Sequence, residues 1–147
     1  MGKAKSHVNK KEAQAVADYA TDVAYALSLP RWRILVMTDP CGDDAMATVD
    51  TVDGKWTARI WLCEDWMTQP YDTRRETITH EVCHLIHMRL ADTVIEDSKP
   101  LMRNGDHRDW TRRVRREFEL MVDHLAVFLA ETHSLERAWD KAHGRTS

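Results

Sequence analysis

His80-Glu81-Val82-Cys83-His84 sets two imidazoles four residues apart, with a carboxylate directly after the first. On a helix, positions i and i+4 lie on one face a turn apart, so both rings can face a single metal ion. Glu81 then projects beside them, towards water at that ion. The chain must therefore bury one side of this helix and keep a polar side for the histidines. A solvated helix that carries two histidines by chance would need neither an apolar stripe nor a further ligand downstream.

The surrounding residues supply the stripe. Ile78, Val82, Leu85 and Ile86 recur at helical spacing, while Thr77, His80, Glu81 and His84 occupy a neighbouring polar face. Thr73 and Glu76 form a T-x-x-E capping box, which predicts a helix from near Arg74 to about Leu90. Upstream, Lys11 to Leu29 reads as an amphipathic helix stopped by Pro30, and Trp32 to Met37 as a short buried strand. Ala45, Ala47 and Val49 alternate along a second strand, and Asp53-Gly54 offers a hairpin turn. The returning strand, Lys55 to Leu62, puts Trp56, Ala58, Ile60 and Leu62 on a core face and Thr57, Arg59 and Trp61 on the other. That strand is either an ordinary sheet edge or a place where an extended peptide adds as a further strand.

Downstream, residues 91–107 are polar and broken by Pro100 and Asn104-Gly105, and read as a long loop. A final long helix starts near Asp106 or Asp109, with Phe118, Val122, Leu125 and Leu129 as its stripe. Ser134 caps a short closing helix through Trp139. The expected architecture is α+β: an N-terminal helix, a short three-stranded, mainly antiparallel sheet, the histidine-bearing helix and a C-terminal helix. It forms one domain over residues 11–147, behind a flexible leader over residues 1–10.

Composition excludes more than it assigns. A net charge of −3 gives no general reason to bind nucleic acid or a membrane. No apolar run reaches the length of a membrane span, and the polar N-terminus is not a signal peptide. Cys41, Cys63 and Cys83 lack C-x-x-C spacing and fit reduced thiols, so the expected location is the cytoplasm. Met1 to Ser6 formally match an N-myristoylation signal, but without a second membrane cue the segment reads as a solvated leader. Arg112, Arg113, Arg115 and Arg116 read as a solvated face rather than a site for nucleic-acid phosphate. The six tryptophans are too scattered to form a base-stacking platform.

Two histidines leave a catalytic zinc one protein ligand short, since such sites take three plus water. His87, three residues after His84, would crowd the helix as a third ligand, and Cys63 is a weaker alternative. Cys83 points away from the histidine face and reads as core. The stronger candidate is Glu119, with Asp123 one turn later placed to accept the Nδ1–H of a ligating imidazole. Glu81 is the general base of the resulting site. Tyr71, His107 and His124 are candidates to stabilise the oxyanion.

With its E-x-x-x-D on a later helix, the chain resembles the gluzincin metallopeptidases. Glu119-x-x-Val-Asp123-x-Leu-Ala126 is especially similar to the E-x-x-A-N/D-x-F-A segment of the ImmA/IrrE type, and small phage-encoded zincin-like proteins have a similar layout. Cys83 stands where Gly is common before the second His, and no L-x-P follows Ala126. The resemblance implies a minimal zincin-like domain, a Zn2+ cofactor and hydrolysis of a peptide or protein substrate, in a host cytoplasm if the chain is phage-encoded. Two other classes stay open: a zincin-fold accessory protein with little turnover, and a zinc hydrolase of a non-peptide bond. The complete motif argues against the first, because Glu81 is not needed merely to hold zinc.

Overall fold

The computed structural model describes residues 8–42 and 44–145. The described residues form five α-helices and a small three-stranded mixed sheet, an α+β arrangement. The myristoylation match and most of the expected leader lie outside them. Asn9 and Lys10, placed in that leader by the sequence, belong to the first helix, α1 (Lys10–Ala26): the Asn9 side chain caps it by accepting from the Glu12 N–H at 2.8 Å. α1 ends before the expected Leu29. Ser28 takes a left-handed φ of 60°, and the N–H groups of Ser28 and Leu29 bond back to Tyr25 and Ala24, closing the last turn ahead of Pro30.

Strand β1 (Arg33–Val36) is followed by β2 (Ala47–Thr51) and β3 (Thr57–Leu62), in the order β1-β3-β2. β2 and β3 form the expected antiparallel hairpin, with Gly54 in the turn at φ 66°. β1 runs parallel to β3, so the sheet is mixed rather than mainly antiparallel. β3 is therefore the central strand, hydrogen-bonded on both sides, and no peptide can add to it; the edges are β1 and β2. Ala58, Ile60 and Leu62 are buried as their alternation predicts. Trp56 precedes the strand and is half exposed, packed instead against Trp32 and the Arg89 guanidinium.

The histidine-bearing helix α2 starts at Tyr71 and runs to Cys83. The Pro70 carbonyl accepts from Arg74, so the Thr73–Glu76 box lies inside the first turns and caps nothing. Beyond Cys83 the chain does not continue as one helix to Leu90. It tightens into a 3-10 turn over His84–Ile86 and restarts as α3 (Met88–Ser98). The region expected to be a loop is thus mostly helix. Its only buried apolar residues are Ala91 and Ile95, one turn apart, and so thin a stripe leaves the polar face dominating the pattern. Ile86, expected in the core, is exposed because the turn rotates it outward. α4 (Asn104–Thr132) begins ahead of both aspartates proposed to cap it. α5 (Leu135–Ala142) follows, with Ser134 at its N-cap position but making no side-chain cap bond.

The core gathers Val16, Tyr19 and Val23 of α1, the inward side of the sheet, Ile78 and Val82 of α2, Val122 and Leu129 of α4, and Trp139 of α5. Each fully buried aliphatic side chain there contributes roughly 1.5–3 kcal/mol. Among the described residues, no helix is long and apolar enough to cross a membrane.

A buried polar cluster ties α1, α2 and α5 together. The Glu12 carboxylate accepts from Trp66 Nε1 at 2.9 Å, Arg74 Nη1 at 2.7 Å and His143 Nε2 at 2.9 Å. Burial alone would raise the carboxyl, but hydrogen bonds from His143 and Trp66 and the charges of His143 and Arg74 outweigh it and hold Glu12 below its ordinary 4.5. A lowered folded value means the contribution is present above the unfolded value and fades as pH falls through the folded one. Thermal stability should therefore drop below about pH 4.5, measured as Tm against pH. Glu12→Gln should flatten that slope and lower Tm at neutral pH by on the order of 10 °C, because it leaves the buried Arg74 without its counter-charge.

Candidate metal centre

Ile78, Val82 and Cys83 are fully buried against α1 and the sheet, which turns the opposite side of α2 towards α4 and the edge strand β2. A cleft of about 360 Å³ lies there. Its walls include Ala47, Thr48 and Val49 of β2, His80, Glu81 and His84 of α2 and the turn after it, and Arg115 and Glu119 of α4. That volume lies within the ordinary range of about 300–1,000 Å³ for ligand pockets, towards its lower end.

His80 Nε2 and His84 Nε2 are 3.2 Å apart. The Glu119 carboxylate reaches both, with Oε2 3.3 Å from His80 Nε2 and Oε1 3.3 Å from His84 Nε2. Tetrahedral zinc with bonds of about 2.0–2.1 Å separates its donor atoms by about 3.3–3.4 Å, so each contact of this triangle is close to that length, the two Glu119 oxygens facing one imidazole each. Asp123 Oδ1 lies 3.3 Å from His80 Nδ1. A hydrogen held on that side leaves the Nε2 lone pair facing the triangle. With both ring hydrogens on Nδ1, two lone pairs and a carboxylate converge and favour a positive charge among them, and two imidazoles with one carboxylate are a donor set that a divalent metal such as zinc accepts.

His80, Glu81 and His84 also form a group that could hold a metal, their donor atoms lying within 4.8 Å of one another. Two carboxylates, Glu81 and Glu119, thus stand near the pair of imidazoles. Burial, and then the charge of Glu119, push Glu81 up to about 7, the range a general base needs for work at neutral pH. Burial lowers His84 against the pull of Glu119, and it lowers His87 likewise, which keeps both rings neutral and their lone pairs available.

None of the three oxyanion candidates borders the cleft. The Tyr71 hydroxyl donates to Asp140 Oδ1 at 2.7 Å, and its ring packs on Trp139 and His143 beside the Glu12 cluster. His107 Nε2 donates to the Ile95 carbonyl at 2.9 Å, strapping α4 to α3. His124 is exposed on α4 away from the cleft wall. The cation that does border it is Arg115, which the sequence reading grouped with its basic neighbours. Its position four residues before Glu119 on the same helix was the available signal. Arg112 and Arg116 instead face acids on their own helix, Asp109 and Glu117, each at 3.8 Å.

The alternative ligands are placed elsewhere or closed off. Cys63 borders a separate groove with Cys41 and Asp65, and burial and then Asp65 push its thiol up to about 12. Burial alone pushes the Cys83 thiol up to about 12 in the core, as expected for a packing residue. His87 sits behind His84, with Nε2 3.0 Å from His84 Nδ1, and therefore outside the triangle.

Comparison with protein-family models, with curated proteins and with solved structures returns no match.

The geometry predicts one Zn2+ per chain, lost in the double variant His80→Ala/His84→Ala and measured by metal analysis of the purified protein. Asp123→Ala should weaken zinc roughly 10–100-fold and Glu119→Ala more, with the two effects non-additive in a chelator-competition titration. Equal and negligible effects of both substitutions would leave α4 with no more than a solvated acidic face.

Proposed function

We propose that the chain is a zinc-dependent metallopeptidase of the gluzincin kind. In this reading His80, His84 and Glu119 hold the ion, Asp123 orients His80, and Glu81 is the general base. The observation that carries it is the convergence of two imidazole nitrogens 3.2 Å apart, each 3.3 Å from one oxygen of the Glu119 carboxylate, with the half-buried Glu81 alongside. Bound zinc supplies Lewis acidity, acidifying water and polarising a carbonyl. Glu81 takes the proton from the attacking water and returns it to the leaving amine. Arg115 offers positive charge to the developing oxyanion from the α4 wall.

The substrate's backbone has a place on β2. The ladder pairs Met46 with Cys63 and Val52 with Thr57, so in the antiparallel alternation Ala47, Val49 and Thr51 turn their N–H and C=O groups away from β3. An extended peptide pairing there passes over the cleft that holds His80 and His84. A second reading, a zinc-holding accessory protein with little turnover, is favoured by the positions of Tyr71, His107 and His124 away from the cleft.

Two variants separate these readings. Glu81→Gln should keep its zinc yet cleave a fluorogenic peptide library roughly 10²–10⁴-fold more slowly. Val49→Pro removes one outward N–H from an edge strand, where proline is tolerated, and should lower kcat/KM roughly tenfold at unchanged zinc content. Zinc-loaded wild-type protein that leaves the whole library intact would instead support the accessory reading.

A further inference from the structure

One buried side chain beside the triangle has no part in the chemistry above. His87 is 7% exposed, and its ring lies flat on Phe118 of α4, with centroids 4.3 Å apart and planes at 8°. Its Nε2 is 3.0 Å from His84 Nδ1. The break between α2 and α3 produces this contact. Side chains at i and i+3 eclipse in 3-10 winding, so the turn over His84–Ile86 brings the His87 ring behind the His84 ring. The other His87 nitrogen, Nδ1, is buried and meets no hydrogen-bond partner.

Two ring nitrogens 3.0 Å apart share one hydrogen, and the choice decides what the triangle can hold. With the hydrogen on His84 Nδ1, His84 Nε2 directs its lone pair at His80 and Glu119, and His87 accepts as the Nδ1–H tautomer. With the hydrogen on His87 Nε2, a neutral His84 carries its own on Nε2. That hydrogen then occupies the triangle, where His80 Nε2 at 3.2 Å and Glu119 Oε1 at 3.3 Å are its acceptors. Only the first arrangement admits an ion.

We infer that His87 is a positioning residue for the metal site: it accepts the Nδ1–H of His84 and so sets that ligand's ring angle and tautomer. The inference rests on the zinc reading above. Phe118 fixes the plane of the His87 ring, and it directly precedes Glu119. One stack therefore ties the turn bearing His84 to the helix bearing the third ligand.

The test uses zinc affinity, measured by competition with a chelating dye, for wild type, His87→Phe and His87→Gln. It is joined by long-range ¹H–¹⁵N correlation of the imidazoles in zinc-loaded wild type. His87→Phe keeps a flat ring against Phe118 but has no acceptor, and should bind zinc roughly 10–100-fold more weakly. His87→Gln offers Oε1 as an acceptor and should recover most of that loss. The loaded spectrum should place hydrogens on Nδ1 of both His84 and His87. Wild-type affinity in His87→Phe, or a hydrogen on His87 Nε2 in the loaded protein, overturns the inference and leaves the zinc reading standing. Should His87→Phe fail to fold, the wild-type spectrum decides alone. Wild type that takes up no zinc overturns both.

Discussion

Everything at the cleft depends on how α2 is wedged into the core. At about 100° per residue, His80 and His84 lie on the side of the helix opposite Ile78 and Val82. Those two apolar side chains and Cys83 are fully buried, so the helix cannot roll without exposing them. The Tyr19 hydroxyl adds a directional constraint, meeting Thr79 Oγ1 at 2.7 Å inside the core. A neutral buried hydrogen bond contributes about 1 kcal/mol, less than one buried valine, but it sets a rotation angle that apolar packing alone does not. The helix face that carries the imidazoles is thus set by residues on its opposite side.

The two polar clusters of the molecule are built on opposite rules. Around Glu12, donors meet acceptors: one carboxylate receives an indole, a guanidinium and an imidazole. Around His80, two imidazole nitrogens and a carboxylate converge, and the groups behind the rings, Asp123 at His80 Nδ1 and His87 at His84 Nδ1, are placed to accept hydrogens there. The first arrangement fills the carboxylate with three donors and holds three helices together, although Arg74 Nε is left without a partner among the described residues. The second keeps its lone pairs free for a cation only while both ring hydrogens sit on the outer nitrogens.

Much of this was legible in the sequence because the features are local. The His80/His84 spacing, the Asp53-Gly54 hairpin, the alternation of Ala58, Ile60 and Leu62, and the Glu119/Asp123 pair each sit within one element. What escaped were decisions taken between elements. The parallel course of β1 follows from the connection that carries the chain from β1 past β3 to β2 on its far side, which no pattern within Arg33–Val36 encodes. Residues 91–107 concealed a helix because α3 buries only Ala91 and Ile95. The 3-10 turn left no signature of its own, so His87 read as a crowded ligand rather than a residue behind one. Tyr71 looked available because its partner, Asp140, is 69 residues away.

The Glu12 cluster also bears on the order in which the molecule is assembled. Its carboxylate comes from the first helix, Arg74 from the middle of the chain, and His143 from 131 residues beyond Glu12. A chain emerging from a ribosome holds Glu12 and Arg74 long before His143 has left the exit tunnel. Until then α5 is absent, Trp139 does not cover Tyr19, and one side of α1 stays wet. α5 thus acts as a latch: the sheet and the histidine helix precede it in the chain, and the side of α1 that carries Tyr19 is covered once α5 is in place.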